Sequence, residues 1–393
     1  MKILVLHSEL GVLWGGGETF TTSLFTAFAR RGHRVTAAFV ADPSGGYPRS
    51  LPDCFERLPV PGRWSRKPGQ PALSAIGRRL PAVVAPAWER FQEGVSWRTI
   101  AWHNRRFQRR IESMFEGRWS AYDAVYVNGN VGLAHATAAH RPTLLMLPGP
   151  VGANVAPLLR RIHAVCGHDD GLECLRSLLG DLAIELPLGL DVDIFRPAAT
   201  PVRSQLGWTD RDVVFGYVGR LALIKGVDLL AGAFAELSRR VPNARLLIVG
   251  SGEEERRIRS VLSPQIASGA VHLQGRTAQE QLPPWYRAMD VLVMPSRYET
   301  MSNAVLEGMA CGVPFLATDV GGSRRLSGTG AGWIVPPGSD GALCERMNAL
   351  ADSPAAFVSY GQRACNYVHA RYSWTRSAER LEEIVRTRLG VAA

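Results

Sequence analysis

Short apolar runs alternate with helix-patterned stretches twice along this chain. The alternation restarts after a Pro- and Asp-marked segment near its middle. In the first half, strands are expected at Lys2 to Leu6, Val35 to Val40, Ala124 to Val127 and Thr143 to Leu147, with a short one at Ile162 to Val165. Helical patterns run up to Arg31 and over Gly171 to Leu179. In the second half, strands are expected at Val213 to Val218, Arg245 to Val249, Val271 to Leu273, Val291 to Met294, Phe315 to Thr318 and Trp333 to Val335. Such βαβ order demands a parallel sheet covered by helices, here twice over. The fold class is therefore α/β, with two doubly wound Rossmann-like domains and ligand at the carboxyl ends of the strands.

Length agrees, since 393 residues make about two domains. The most apolar non-periodic stretch, Leu80 to Trp88, is short and holds Pro81 and Pro86, so no membrane span is expected. Met1-Lys2 leads straight into an expected strand, so no signal peptide is expected. The six cysteines are scattered without metal spacing, which fits a reduced, cytoplasmic chain. The Asp191-x-Asp193 pair lies on the segment Pro187 to Pro197 and is read as linker, not as a metal site. Residues 42–71 are rich in Pro and Gly and read as irregular, and 72–118 as amphipathic helix. The net charge of +10 is nearly all arginine, with lysine only at Lys2, Lys67 and Lys225. Arginines crowd residues 63–118, which fits an anionic or membrane-surface acceptor, or equally a solvated helical face. No nucleic-acid module is recognisable.

The segment PSRYETMSNAVLEGMACGVP carries Glu299 and Glu307. Asn303 reads as the N-cap of a helix from Ala304 to about Cys311, stopped by Gly312-Val313-Pro314. Glu307 then lies one turn inside the helix and Glu299 in the loop before it. The amides of Asn303 and Ala304 face out from a positive helix end, a ready phosphate site. A carboxylate beside it can accept hydrogen bonds from a sugar diol. The layout fits a nucleotide sugar held by its phosphates, with one glutamate on each sugar.

Gly219-Arg220-Leu-Ala-Leu-Ile-Lys225-Gly226 ends the first strand of the second half. Two cations aimed at a diphosphate stabilise the charge that grows as a glycosidic bond breaks. Arg220 supplies a planar fork and Lys225 a point charge. Gly15-Gly16-Gly17-Glu18 follows the first strand and opens a helix, where small residues let backbone approach a ligand. Gly250-Ser-Gly252 reads as a turn, because Glu255 stands where a dinucleotide fingerprint needs a third glycine.

These segments resemble the retaining glycosyltransferases of family four (glycosyl transferases group 1), which have the GT-B fold. The resemblance implies an N-terminal acceptor-side domain over 1–190 and a nucleotide-sugar domain over 191–372. A closing helix over 373–393, capped by Ser373, is expected to pack back on the first domain. It implies catalytic roles for Arg220, Lys225 and Glu299, with Glu307 on the ribose. Donor contacts fall on Gly16, Gly17, Arg276, Ser302, Asn303 and Ala304 as well. The acceptor side falls on Gly15, Glu18, Asn128, Pro148 and Gly149. The implied co-substrate is a nucleotide-diphosphate sugar, UDP- or GDP-linked, with no cofactor and no metal. The acceptor is a hydroxyl on a polysaccharide, a lipid-linked sugar or a small natural product, which would place the protein in the cytoplasm or peripherally at the inner membrane surface. A phosphorylase with pyridoxal on Lys225, and an impaired sugar-nucleotide-binding protein, are the alternatives. The chain departs from the family pattern where a histidine is usual, reading Leu147-Pro148-Gly149-Pro150. It also carries Arg325 where glutamate is common, and Thr-Met-Ser-Asn after Glu299.

Overall fold

The computed structural model describes residues 1–7, 16–41, 51–61, 104–147, 149, 151–299 and 301–391. The chain divides into two compact units, Met1–Pro187 with Ser377–Ala393, and Leu188–Arg376.

The first unit holds seven parallel strands: β1 (Lys2–Leu6), β2 (Arg34–Ala41), β3 (Phe55–Pro61), β4 (Ala124–Asn128), β5 (Thr143–Met146), β6 (Ala164–Gly167) and β7 (Ala183–Glu185). Their order is β3-β2-β1-β4-β5-β6-β7. Helices cover both faces of such a sheet, so its central strands read as unbroken apolar runs. Ile3, Leu4, Val5 and Leu6 are all buried.

Several expectations are corrected. Residues 55–61, read as irregular, form β3, paired in register with β2 from Val35↔Phe55 to Ala41↔Pro61. Pro59 and Pro61 hide it from a propensity reading, and an edge strand is where a sheet tolerates them. β7 is a three-residue edge strand that no periodicity can signal. β6 starts at Ala164 rather than Ile162, because Ile162 N still bonds Leu159 O in the preceding turn. The helix after it starts at Asp169, earlier than Gly171. Of the helix expected over 72–118, residues 72–103 lie outside the described residues. Residues 104–115 are helical, and Phe107, Ile111 and Phe115, four apart, enter the core beside Trp119 and Tyr122.

The second unit holds six parallel strands: β8 (Val213–Val218), β9 (Ala244–Val249), β10 (Val271–Gly275), β11 (Val291–Met294), β12 (Phe315–Thr318) and β13 (Gly332–Val335). Their order is β10-β9-β8-β11-β12-β13. In both sheets the chain runs outward from the first strand, then returns to its other side. The reversal falls between β1 and β4 in one unit and between β8 and β11 in the other. Crevices at the carboxyl ends of such neighbours are the usual ligand sites of doubly wound sheets. At the start of the second unit, Asp191 Oδ1 accepts from the amides of Asp193 and Ile194, each at 3.2 Å. That is the turn chemistry of a short acid on a linker. No helix among the described residues is long and apolar enough to cross a membrane.

The last helix, Trp374–Leu389, is capped by Ser373 Oγ, which accepts from Arg376 N. Its buried Glu382 meets the turn between the helix Gly16–Arg30 and β2. Glu382 Oε1 accepts from Arg31 Nε at 2.5 Å and lies 2.8 Å from His33 Nε2. The Arg31 hydrogen bonds, opposed by burial and aided by His33, hold the Glu382 carboxyl down to about 2. A group depressed from 4.5 in this way stabilises fully above its unfolded value and loses the contribution as pH falls through about 2. Glu382→Ala is expected to cost roughly 2–4 kcal/mol at pH 7, read as an earlier urea midpoint. A midpoint unchanged from wild type overturns the assignment.

Candidate functional site

The second unit gathers its polar groups at the reversal point. The loop after β8 carries Arg220 and Lys225, and the loop after β11 carries Glu299 and leads to the helix Asn303–Ala310. Because β8 and β11 are neighbours, residues 74 positions apart meet. Lys225 Nζ lies 2.5 Å from Glu299 Oε2, both side chains being largely shielded from water.

Several contacts fix the loop that presents Lys225. Leu221 and Ala222 are buried anchors. The buried Tyr217 donates its hydroxyl to Arg220 O at 2.8 Å. Arg297 grips from the other side. It donates to Asp228 Oδ1 and Oδ2 at 2.7 and 2.8 Å and to Leu223 O at 2.6 Å. Its amide bonds Ile224 O. Burial opposes ionisation of Asp228, but the Arg297 hydrogen bonds and charge outweigh it and hold the carboxyl below its usual range. Gly226 ends the loop at φ 67°, and a Cβ there would stand 1.8 Å from Pro295 O. The two loops touch backbone to backbone, which is why a glycine follows Lys225. Gly250 is packed likewise, its missing Cβ lying 1.9 Å from Gly219 O.

The helix after Glu299 starts at Asn303, one residue earlier than expected, and its N-cap is Ser302, not Asn303. Ser302 is extended, and its side chain accepts from Val305 N. The amides of Asn303 and Ala304 precede the first intrahelical bond, so they remain available at a positive helix end. Glu307 faces inward and is 4% exposed. Its Oε1 accepts from Gln279 Nε2 at 2.8 Å and its Oε2 from the Tyr286 hydroxyl at 2.7 Å. Burial pushes the carboxyl up to about 7, against the pull of those two hydrogen bonds. Arg220 and Arg276 are exposed, the latter just after β10. Arg325 donates to the Tyr372 hydroxyl at 3.3 Å.

In the first unit, Gly16 and Gly17 open the helix Gly16–Arg30, and Gly15 and Pro148 lie outside the described residues. Gly149 is half-buried, close enough that a Cβ on Gly171 would meet it at 3.3 Å. Glu18 is buried 3.6 Å from His7 Nε2, and Asn128 Nδ2 lies 3.1 Å from the same nitrogen. The three stand at the carboxyl ends of β1 and β4 or on the first helix. His7, whose sequence context fits a structural histidine equally well, directly follows a buried strand, which is a signal for this fold. Tyr286, Gln279, Asp228 and Arg297 gave no signal, since each acts through a partner distant in sequence.

The fold is the GT-B class, with two parallel-sheet Rossmann-like domains. Residues 212–353 match the family described as glycosyl transferases group 1. Sucrose-phosphate synthase from Thermosynechococcus elongatus superposes with a TM-score of 0.77 over 100% of both chains, at 19% identity. The Anabaena protein HepE, solved with UDP, gives 0.71 over 98% of this chain and 100% of that one, at 18% identity. Among curated proteins, a GDP-mannose-dependent monoacylated alpha-(1-6)-phosphatidylinositol monomannoside mannosyltransferase of Corynebacterium glutamicum is 32% identical over 51% of this chain and 55% of its own. An alpha-D-kanosaminyltransferase of Streptomyces kanamyceticus is 30% identical over 47% and 48%. The chain spans about half the length of the curated relatives it matches.

Gly226→Ala is expected to lower the melting temperature of the second unit, by at least ~2 kcal/mol of stability from the strained φ and the carbonyl clash. Unchanged thermal unfolding monitored by circular dichroism would show that the two loops do not need this contact.

Proposed function

We propose that this protein is a retaining glycosyltransferase that moves a sugar from a nucleotide-diphosphate sugar to an acceptor hydroxyl. The observation that carries the reading is the Lys225–Glu299 pair. It stands at the reversal point of the second sheet, on the loop before an amide-lined helix start. An ammonium balanced by a carboxylate in a half-shielded site is poised to exchange partners. A donor diphosphate takes Lys225, and Glu299 is released to accept from the hydroxyls of the sugar. Arg220 adds a second cation to the same phosphates. Glu307 accepts from the ribose diol through the lone pair that each of its oxygens retains.

In the proposed reaction the bond between the sugar anomeric carbon and the diphosphate oxygen breaks as the acceptor oxygen bonds to that carbon from the same face. The acceptor proton passes to the departing phosphate oxygen. Arg220 and Lys225 meet charge that is larger in the transition state than in the bound donor, so they lower the barrier rather than merely bind. The scheme asks for no metal and no protein nucleophile. UDP and GDP are the favoured nucleotides, as HepE was solved with UDP and one relative is named for GDP-mannose.

Lys225→Ala and Glu307→Ala are each expected to reduce transfer by at least about 100-fold, with circular dichroism like that of the wild type. UDP or GDP is expected to raise the wild-type melting temperature in a screen that also includes ADP and TDP. Turnover near wild type in either variant refutes the residue roles, and a flat screen refutes the donor site.

An anionic acceptor fits the exposed Arg105, Arg106 and Arg109 on the helix whose other face enters the first core. Binding to anionic vesicles at low salt, lost at high salt, is the expected sign of a lipid-linked version. No binding at low salt rejects that version.

A further inference from the structure

Glu307 is a buried acid. Among the described residues it forms no ion pair within 4.0 Å, and two neutral groups hold it instead. They approach from different elements and differ in exposure. Tyr286 lies on the short helix Pro283–Arg287, is 0% exposed, and packs edge-on against Phe195 at 6.1 Å. Gln279 opens the turn Gln279–Gln281 after β10 and is half-buried. One donor is thus locked in the core and the other sits toward solvent.

The other titratable groups around the helix are few. Cys311 ends the same helix, and Arg287 bears on Cys311 while donating to Arg196 O and Ile194 O. From the helix Ala356–Arg371, Cys365 and His369 reach Ala310 O. Burial, followed by the charge and hydrogen bond of Glu307, drives the Tyr286 phenol far above its usual range. It therefore remains a donor throughout the working range of pH.

We propose that Tyr286 and Gln279 are positioning residues that hold Glu307 as an ionised acceptor, and so set the pH range over which a nucleotide ribose is gripped. The inference rests on the donor-site reading above. A hydroxyl bonds an ionised carboxylate about twice as strongly as a neutral partner, so ribose binding favours the charged form. The carboxyl titrates at about 7, so neutrality lies on the slope of that change. Tyr286 stabilises the charged form from the core side, where no water can replace it. Gln279 does so from a half-buried position nearer solvent.

The test is calorimetric titration with UDP-glucose and GDP-mannose from pH 5.5 to 9, sugar diesters whose phosphates hold no proton near neutrality. The wild type is expected to weaken toward tenfold per pH unit below a midpoint near 7. Tyr286→Phe is expected to move that midpoint up by about one unit. Gln279→Leu, at a half-buried site that tolerates change, is expected to move it the same way. Glu307→Gln is expected to flatten the profile. A wild-type profile without the step overturns the inference, as does an unmoved midpoint in both Tyr286→Phe and Gln279→Leu, whatever happens to their melting temperatures. A wild type that binds neither sugar nucleotide at any pH sinks the donor-site reading itself.

Discussion

A parallel sheet wound from its middle must reverse direction, and at the reversal two neighbouring strands send their loops to opposite sides. The crevice left between them cannot be filled by a crossover helix. In the second unit the strands on either side are β8 and β11. Everything assigned to the donor depends on that adjacency, because it alone brings Lys225 to Glu299 across 74 positions of sequence. The loops then need exact spacing rather than large side chains. Gly226 against Pro295 O and Gly250 against Gly219 O let backbone meet backbone. Arg297 ties the pair together through Asp228. That cation is structural, and its full engagement leaves Lys225 as the adaptable one.

The parts legible in the sequence were those fixed by burial along a continuous segment. β8, β11 and β12 are buried at every position, and their apolar runs mark their ends without error. β3 was not legible, because an edge strand tolerates prolines that argue against a strand anywhere else. The N-cap was misplaced by one position for a different reason. Ser302 and Asn303 are both good caps, and only the extended backbone at Ser302 decides between them.

The site followed the same division. Glu299, Glu307, Arg220 and Lys225 stand in local patterns that announce charged groups at strand ends and a helix start. Their partners do not. Tyr286 reaches Glu307 across 21 positions and Gln279 across 28, so their roles exist only in the folded chain. His7 is intermediate. Its place after a buried strand was visible, but its pairing with Glu18 and Asn128 needed β1 and β4 side by side.

The two glutamates show how one helix and its leading loop can give like groups unlike behaviour. Glu299 keeps a cation at 2.5 Å, the partner that the proposed donor diphosphate would take over. Among the described residues Glu307 has only neutral donors within hydrogen-bond reach, so its charge is conditional and the proposed sugar hydroxyl would have no counterion to displace there. Exchanging these environments would defeat both. A lysine beside Glu307 would hold its lone pairs in a buried ion pair that a neutral diol cannot break. Neutral donors around Glu299 would leave Lys225 unpaired in a half-shielded crevice before any donor arrived. On the proposed donor reading, the placement of that cationic partner is what separates a carboxylate that yields to phosphate from one that waits for a sugar.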